Sequence, residues 1–105
     1  ANFIQCGQDP SKAYEMLSPY ISYIHVKDAL FATSEVVPAG TGDGHLLEIF
    51  QKLDASGYHG FLSLEPHLAN FSGLAALEHN AAIRTENNTE KAFCVAWEAF
   101  QKVLG

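Results

Sequence analysis

The sequence predicts an α/β protein with parallel strands, and three observations lead to this fold class. Two short apolar runs, at residues 20–26 and 61–65, carry few polar positions, as is typical of strands buried on both faces. A segment with helical features precedes the first run, another separates the two runs, and a third ends the chain. No tight hairpin turn joins the two strands. Because such alternation requires crossover connections, the two strands are expected to be parallel.

The three helices are predicted from capping residues and from apolar spacing. The first begins at Asp9 and Pro10, since aspartate caps a helix and proline suits its first position, and it ends before Pro19. The second ends at Gly57. The third starts at Thr89 and continues for about four turns. The apolar positions of the second helix are Leu46, Leu47, Ile49, Phe50 and Leu53.

Two segments connect these elements without a strong periodic pattern. Residues 29–44 are predicted to form a long loop, and the glycines of its last part, 40–44 (GTGDG), match neither dinucleotide-binding nor P-loop spacing. This part is interpreted as a flexible entry to the second helix, with Asp43 as the helix cap. Residues 67–87 are mixed, and the alanine-rich stretch 74–83 is a candidate short helix.

Composition excludes several classes of protein. The net charge of −6 on 105 residues argues against nucleic acid or anionic lipid as a partner. Cys6 and Cys94 lack CxxC spacing and are too few for a disulfide framework, so a reducing compartment is expected. Cys94 and Trp97 are predicted to pack in the core of the last helix. Without a signal peptide or a long apolar run, the protein is predicted to be cytoplasmic.

Two polar residues stand where parallel strands usually present functional groups. His25 lies near the end of the first predicted strand, and Glu65 ends the second, directly before Pro66. The carboxyl ends of parallel strands meet at one rim, where ligands bind. An imidazole and a carboxylate there are suitable ligands for Mn, Mg, Zn or Co. The alternative for His25 is a hydrogen-bonded core histidine, whereas a glutamate is almost never buried without a partner.

Three segments, in order, resemble a known enzyme family. They are 23–29 (YIHVKDA), 40–44 (GTGDG) and 57–67 (GYHGFLSLEPH), and they resemble the C-terminal part of the sugar phosphate isomerase/epimerase family, which has the xylose isomerase-like barrel. The resemblance runs from about residue 2 to residue 68 and resumes in the last helix. It implies that residues 1–105 are the C-terminal portion of a (β/α)8 TIM barrel, with about its last two strands and three helices.

The resemblance also implies a chemistry. Family members hold one divalent metal ion with four ligands from four strands, of which two map here, His25 on the seventh strand and Glu65 on the eighth. Glu65 would be the base that removes a proton next to a sugar carbonyl, through an enediolate. Lys27 and Asp28 would orient the metal-bound imidazole or contact substrate hydroxyls, and His67 would contact the sugar substrate.

Other interpretations remain beside this one. Because half of the ligand set is missing, the isolated chain is predicted to be inactive, and it could instead be a non-catalytic fragment or a degenerate interaction module. An endonuclease IV-like enzyme should carry an Asp-x-His pair that residues 29–42 lack, while an inosose dehydratase-like enzyme would share these residues. Two parallel strands alone leave open sheet edges, so a homo-oligomer is expected.

Overall fold

The computed structural model describes residues 1–68 and 88–105, and it has a mixed α/β architecture in which helices pack on a two-stranded parallel sheet. The candidate helix at 74–83 lies outside the described residues. In chain order the elements are α1 (Asn2–Gln5), α2 (Pro10–Leu17), a 3₁₀ turn (Ser18–Tyr20), β1 (Ile24–Val26), β2 (Asp28–Ala29), β3 (Val36–Val37), α3 (Leu46–Ala55), β4 (Leu62–Leu64) and α4 (Asn88–Leu104).

The start of α2 is the predicted one. The Asp9 carboxylate accepts hydrogen bonds from the backbone N–H groups of Ser11 and Lys12, at 2.9 and 3.2 Å, and Pro10 occupies the first helical position. The hydrogen bond from Lys12 is the main reason that the pKa of Asp9 lies below its ordinary value. The helix ends at Leu17, where the chain turns through Ser18–Tyr20.

The parallel pairing of β1 with β4 confirms the predicted strand direction. Ile24 is opposite Leu62, and Val26 is opposite Leu64. Because side chains alternate between the two faces of a strand, these four all point toward the helices. There Val26 belongs to the main core cluster and the other three pack against it. β1 is shorter than the predicted run, since Tyr20 belongs to the turn Ser18–Tyr20 and residues 21–23 precede the paired segment.

The core lies between this sheet and the helices α3 and α4. The rings of Phe50 and Phe100 meet edge to face at 6.2 Å, and Val26 of β1 lies in the same cluster. Trp97 packs against Phe100 at 6.0 Å between ring centroids, although 46% of its surface remains exposed. The buried residues of this cluster are Val26, Ala39, Phe50, Leu53 and Phe100.

Cys94 is exposed, so the prediction that it packs in the core is wrong. The buried stripe of α4 follows the four-residue spacing Ala92, Ala96 and Phe100. A residue two positions from Ala92 lies about 200° around the helix and therefore faces away from that stripe.

The long connection after β1 is more ordered than the sequence indicated. Asp28 and Ala29 pair in antiparallel fashion with Val37 and Val36, which adds a ladder that was not predicted. Asp28 is only 1% exposed. Its carboxylate accepts hydrogen bonds of 2.9–3.0 Å from the backbone N–H groups of Ala29, Gly40, Gly42 and Gly44.

The glycines of 40–44 permit this close approach. A Cβ atom on Gly42 would lie 2.5 Å from both the Ala29 carbonyl oxygen and Asp28 Oδ1, and one on Gly44 would lie 2.6 Å from the same carboxylate oxygen. Gly40 has a φ of 84°, a conformation that favours glycine. The segment is therefore a shell of backbone amides around a carboxylate, and the prediction of a flexible entry to the helix is wrong.

Asp43 does not cap α3, contrary to the prediction. Its Oδ2 accepts a hydrogen bond of 2.8 Å from the backbone N–H of Phe31, so it ties the loop to itself. The capping position is occupied by His45, which has a left-handed backbone with φ 53° and makes no side-chain cap. The prediction failed because α3 starts at Leu46, which leaves Asp43 two residues before the capping position, where the loop amide of Phe31 binds its carboxylate.

One face of the β1–β4 sheet, called the open face below, presents exposed aromatic side chains. Tyr23 and Phe61, which precede the two strands, have ring centroids 6.4 Å apart. Phe61 is 80% exposed. Parallel sheets are normally covered on both faces, so this open face calls for a covering element.

None of the helices in residues 1–68 and 88–105 is long and apolar enough to cross a bilayer.

We expect Asp28→Ala to destabilise the fold strongly. The substitution leaves four loop amides without their acceptor and removes charge-assisted hydrogen bonds, so the free energy of unfolding should fall by about 3 kcal/mol or more. Urea denaturation followed by circular dichroism measures this change.

Asp54→Ala, at an exposed position of α3, is the matched control and should change the midpoint little. Gly42→Ala tests the same contact from the other side, because its Cβ would collide with the carboxylate. Equal midpoints for Asp28→Ala and Asp54→Ala would contradict the importance of this contact.

Candidate functional site

The candidate site lies at the carboxyl ends of β1 and β4. The ladder continues one residue beyond the strands, because the backbone N–H of Glu65 donates to the carbonyl of Val26 at 3.0 Å. Lys27 therefore stands beside Glu65, and His25 lies on the same face one pleat earlier. Parallel pairing thus gathers residues that are about 40 positions apart in the chain.

Three basic side chains surround the carboxylate of Glu65. His67 Nε2 lies 3.0 Å from Oε1, and Lys27 Nζ lies 3.8 Å from the same oxygen. His25 Nδ1 lies 3.6 Å from Oε2. The Glu65 side chain is 37% exposed, so it is neither buried nor fully solvated.

The two oxygens of Glu65 differ in their surroundings. Oε1 faces His67 within hydrogen-bond distance and also faces the Lys27 ammonium. Oε2 faces only His25 among the ion pairs of the described residues, at a distance too long for a hydrogen bond. Oε1 is thus the anchored oxygen, and Oε2 is the one available to a ligand or to a proton.

Aromatic packing and backbone geometry orient the two histidines. The ring of Tyr23 meets the ring of His25 edge to face, with centroids 4.7 Å apart. His67 has a φ of 47°, which is unusual for a residue with a side chain. This turn after Pro66 directs the His67 ring back to Glu65. The contribution of Tyr23 was missed by sequence reasoning, although its spacing of two residues from His25 could have indicated it.

A cavity of about 360 Å³ opens beside this cluster. His25, Lys27 and Glu65 supply polar groups of its lining, and most of its wall is apolar side chains from α2 and α3. Ala1 also lines the cavity, and its terminal ammonium group donates a hydrogen bond to the carbonyl of Lys27 at 2.8 Å. The apolar wall residues include Ala13, Tyr14, Leu17, Leu46, Ile49 and Phe50.

The donor set fits part of a divalent-cation site. Bonds of about 2.0–2.2 Å from one ion to an imidazole nitrogen and a carboxylate oxygen place those atoms roughly 3.0–3.4 Å apart. The 3.6 Å between His25 Nδ1 and Glu65 Oε2 is close to this separation. Within residues 1–68 and 88–105, however, no group of three or more His, Cys, Asp or Glu side chains is arranged to hold a metal ion.

Asp28 lies apart from the other predicted site residues. Side chains alternate along β1 and its continuation, so Lys27 projects to the cavity while Asp28 projects into the glycine loop. All of its described hydrogen bonds come from backbone amides. The structure thus brings together the side chains of His25, Lys27, Glu65 and His67. Asp28 instead binds the backbone amides of the neighbouring loop.

A second polar cluster joins α2 to α3. Ser11 Oγ lies 2.7 Å from His45 Nδ1 and 3.2 Å from Glu48 Oε2. Asp9 Oδ1 approaches the same ring nitrogen at 4.0 Å. A nucleophile–base–acid relay needs its serine and its acid on opposite ring nitrogens, so this cluster is a link between helices rather than a catalytic triad.

Comparisons with protein-family profiles, with curated proteins and with solved structures found no match to this chain.

We expect the 105-residue chain to bind divalent cations weakly. Two ligands cannot complete a coordination sphere, so the dissociation constant for Mn²⁺, Zn²⁺ or Co²⁺ should be weaker than about 0.1 mM by isothermal titration calorimetry. Glu65→Gln and His25→Ala should each reduce the residual binding, whereas His59→Ala, at an exposed turn, should not. Tight stoichiometric binding would contradict this expectation.

Proposed function

We propose that this chain is the C-terminal part of a TIM-barrel sugar isomerase or epimerase, and that Glu65 is its general base. The observation that carries the proposal is the environment of Glu65. The carboxylate stands at the carboxyl ends of two adjacent parallel strands, beside a cavity, with one oxygen anchored and the other available. This is the rim at which barrels of parallel strands carry out their chemistry.

The reaction class follows from the groups at the rim. Moving a sugar carbonyl, or inverting the carbon beside it, requires a base that removes a proton from carbon. Glu65 Oε2 can accept that proton, since His67 and Lys27 keep Oε1 in place. His25 lines the cavity and His67 contacts Glu65, and both offer ring nitrogens that can contact sugar hydroxyls.

A divalent cation fits this proposal as a partner of His25 and Glu65. A carboxylate oxygen has two lone pairs, so Glu65 Oε2 would face the ion with one and the substrate proton with the other. When bound, the cation would supply a Lewis acid that polarises the substrate carbonyl. The further ligands that it needs would come from earlier strands of the barrel, which have no counterpart in residues 1–105.

The edge of β1 that faces away from β4 supports the barrel. Ile24 and Val26 exchange backbone hydrogen bonds with β4 and with the residues on either side of it. The backbone N–H and C=O groups of His25 and Lys27 therefore point to the other edge of β1. Further strands of a barrel would pair there and cover the open face. Two exposed, unbridged cysteines suit the cytoplasm, which the proposal includes as the site of action.

We expect Glu65→Gln to abolish turnover in the complete product of the gene that encodes this chain. Incubation with a panel of ketoses, aldoses and their phosphates in D₂O with Mn²⁺ should incorporate deuterium next to the carbonyl. Loss of the base should lower this exchange by about a hundredfold to ten-thousandfold. Nuclear magnetic resonance of the sugar measures it directly.

Glu98→Gln, at an exposed position of α4, is the matched control and should keep full exchange. Exchange retained in Glu65→Gln would remove Glu65 from the role of base. Absence of exchange with every sugar in the unaltered protein would reject the isomerase proposal and favour a non-catalytic module, which the incomplete ligand set of the described residues also supports.

The proposal also includes self-association of the isolated chain. The open face presents Tyr23 and the 80% exposed Phe61, and an uncovered apolar sheet face favours association with a second copy. Light scattering at micromolar concentration should therefore give the mass of a dimer or a larger oligomer.

Phe61→Ser should shift the equilibrium toward the monomer, because it removes the most exposed aromatic side chain of this face. Met16→Ser changes a residue on α2 that is 76% exposed and should leave the mass unaltered. A monomeric mass for the unaltered chain would overturn the expected association.

A further inference from the structure

The Lys27 side chain is largely buried, and its ammonium group makes no hydrogen bond within the described residues. Its side chain is 12% exposed, and its one ion pair there is with Glu65 Oε1 at 3.8 Å, beyond hydrogen-bond distance. An ammonium group has three N–H donors, and no side-chain nitrogen of the described residues is both buried and unpaired, so the Lys27 Nζ keeps accessible surface and free donors. Because Lys27 lines the cavity, an oxygen-bearing ligand in the cavity could accept from it.

Lys27 and Glu65 form a neutral pair whose charge balance changes during proton transfer. With Glu65 ionised, the carboxylate offsets the ammonium across 3.8 Å. Once Glu65 has taken a proton from carbon, the carboxyl group is neutral and the ammonium is no longer offset. At that moment the substrate carries one negative charge on oxygen. The positive charge of Lys27 therefore becomes available to the substrate in the same step that places a negative charge on the substrate oxygen.

We propose that Lys27 is a catalytic residue that donates a hydrogen bond to the enediolate oxygen, an inference that rests on the proposed function of Glu65. In the step, the C–H bond breaks and its proton forms an O–H bond with Glu65 Oε2. The C–H electron pair becomes the carbon–carbon double bond, and the carbonyl π pair moves onto oxygen. Lys27 stays protonated throughout and stabilises the resulting oxyanion.

The geometry suits this division of roles. The proton and the carbonyl oxygen of a carbon acid sit on neighbouring atoms, so a base and a cation must also be neighbours to serve both. Strand pairing places Lys27 directly beside Glu65 at the same rim. His67 anchors Oε1 from the other side, which leaves Oε2 for the proton and the ammonium for the oxyanion.

The test uses the 105-residue chain and a pair of small probes. Glycolate carries a planar anion next to a hydroxyl group, as an enediolate does, and glycolamide is its neutral isostere. Their affinities are measured by ¹H–¹⁵N nuclear magnetic resonance titration in EDTA, so that metal ions do not contribute. Glu65→Gln reproduces the neutral state of the protonated base. The other proteins are Glu65→Gln/Lys27→Met and the control Glu65→Gln/Lys12→Met, in which Lys12 is exposed on α2.

Glu65→Gln should bind glycolate about tenfold more tightly than the unaltered chain, because it removes the opposing carboxylate. Lys27→Met in that background should abolish the gain, Lys12→Met should preserve it, and glycolamide should bind all four proteins equally. The Lys27 Nζ signal should shift with glycolate in Glu65→Gln, a readout that holds even where Lys27→Met fails to fold.

A gain in glycolate affinity that survives Lys27→Met, or no gain in Glu65→Gln, would overturn the role of Lys27. These results are independent of turnover. The deuterium-exchange assay reports on Glu65 and the isomerase proposal, so exchange by the complete gene product together with glycolate binding that ignores Lys27 would reject this inference alone.

Discussion

The parallel pairing of β1 with β4 is the constraint on which the rest of the structure depends. Each strand is only three residues long, yet the register sets which side chains face the helices and which face the open side. A slip by one residue would turn Val26 out of the core and His25 into it. The same register carries Lys27 to Glu65, so the packing of the core and the composition of the candidate site have one cause.

Two adjacent residues illustrate how this pairing separates structure from chemistry. Lys27 and Asp28 are neighbours in sequence, but alternation sends the ammonium toward the cavity and the carboxylate toward the glycine loop. The four amides around Asp28 fix the path of the chain from β1 toward α3, and α3 in turn packs on the sheet. This hydrogen-bonded loop follows Lys27 in the chain and so helps to keep the functional side chains in place.

Predictions from the sequence were correct where interactions between residues close in the chain decide the structure. Asp9 and Pro10 start α2 and Gly57 follows the end of α3 because capping and backbone freedom act within a few residues. Asp43 and Cys94 were mispredicted because their surroundings depend on distant segments. The amide of Phe31 claims the Asp43 carboxylate, and the buried stripe of α4 is set by what it packs against.

The sequence by itself determined the order of the three longer helices with β1 and β4, the parallel direction of these two strands, and the placement of His25 and Glu65 at their ends. These features follow from periodicity, from turn chemistry and from the crossover rule. Only the tertiary structure decided that His67 and Lys27 hold one oxygen of Glu65, that Tyr23 packs on His25, and that Asp28 binds loop amides. Those contacts join segments far apart in the chain, and their geometry is set by register and by close packing, which no local pattern encodes.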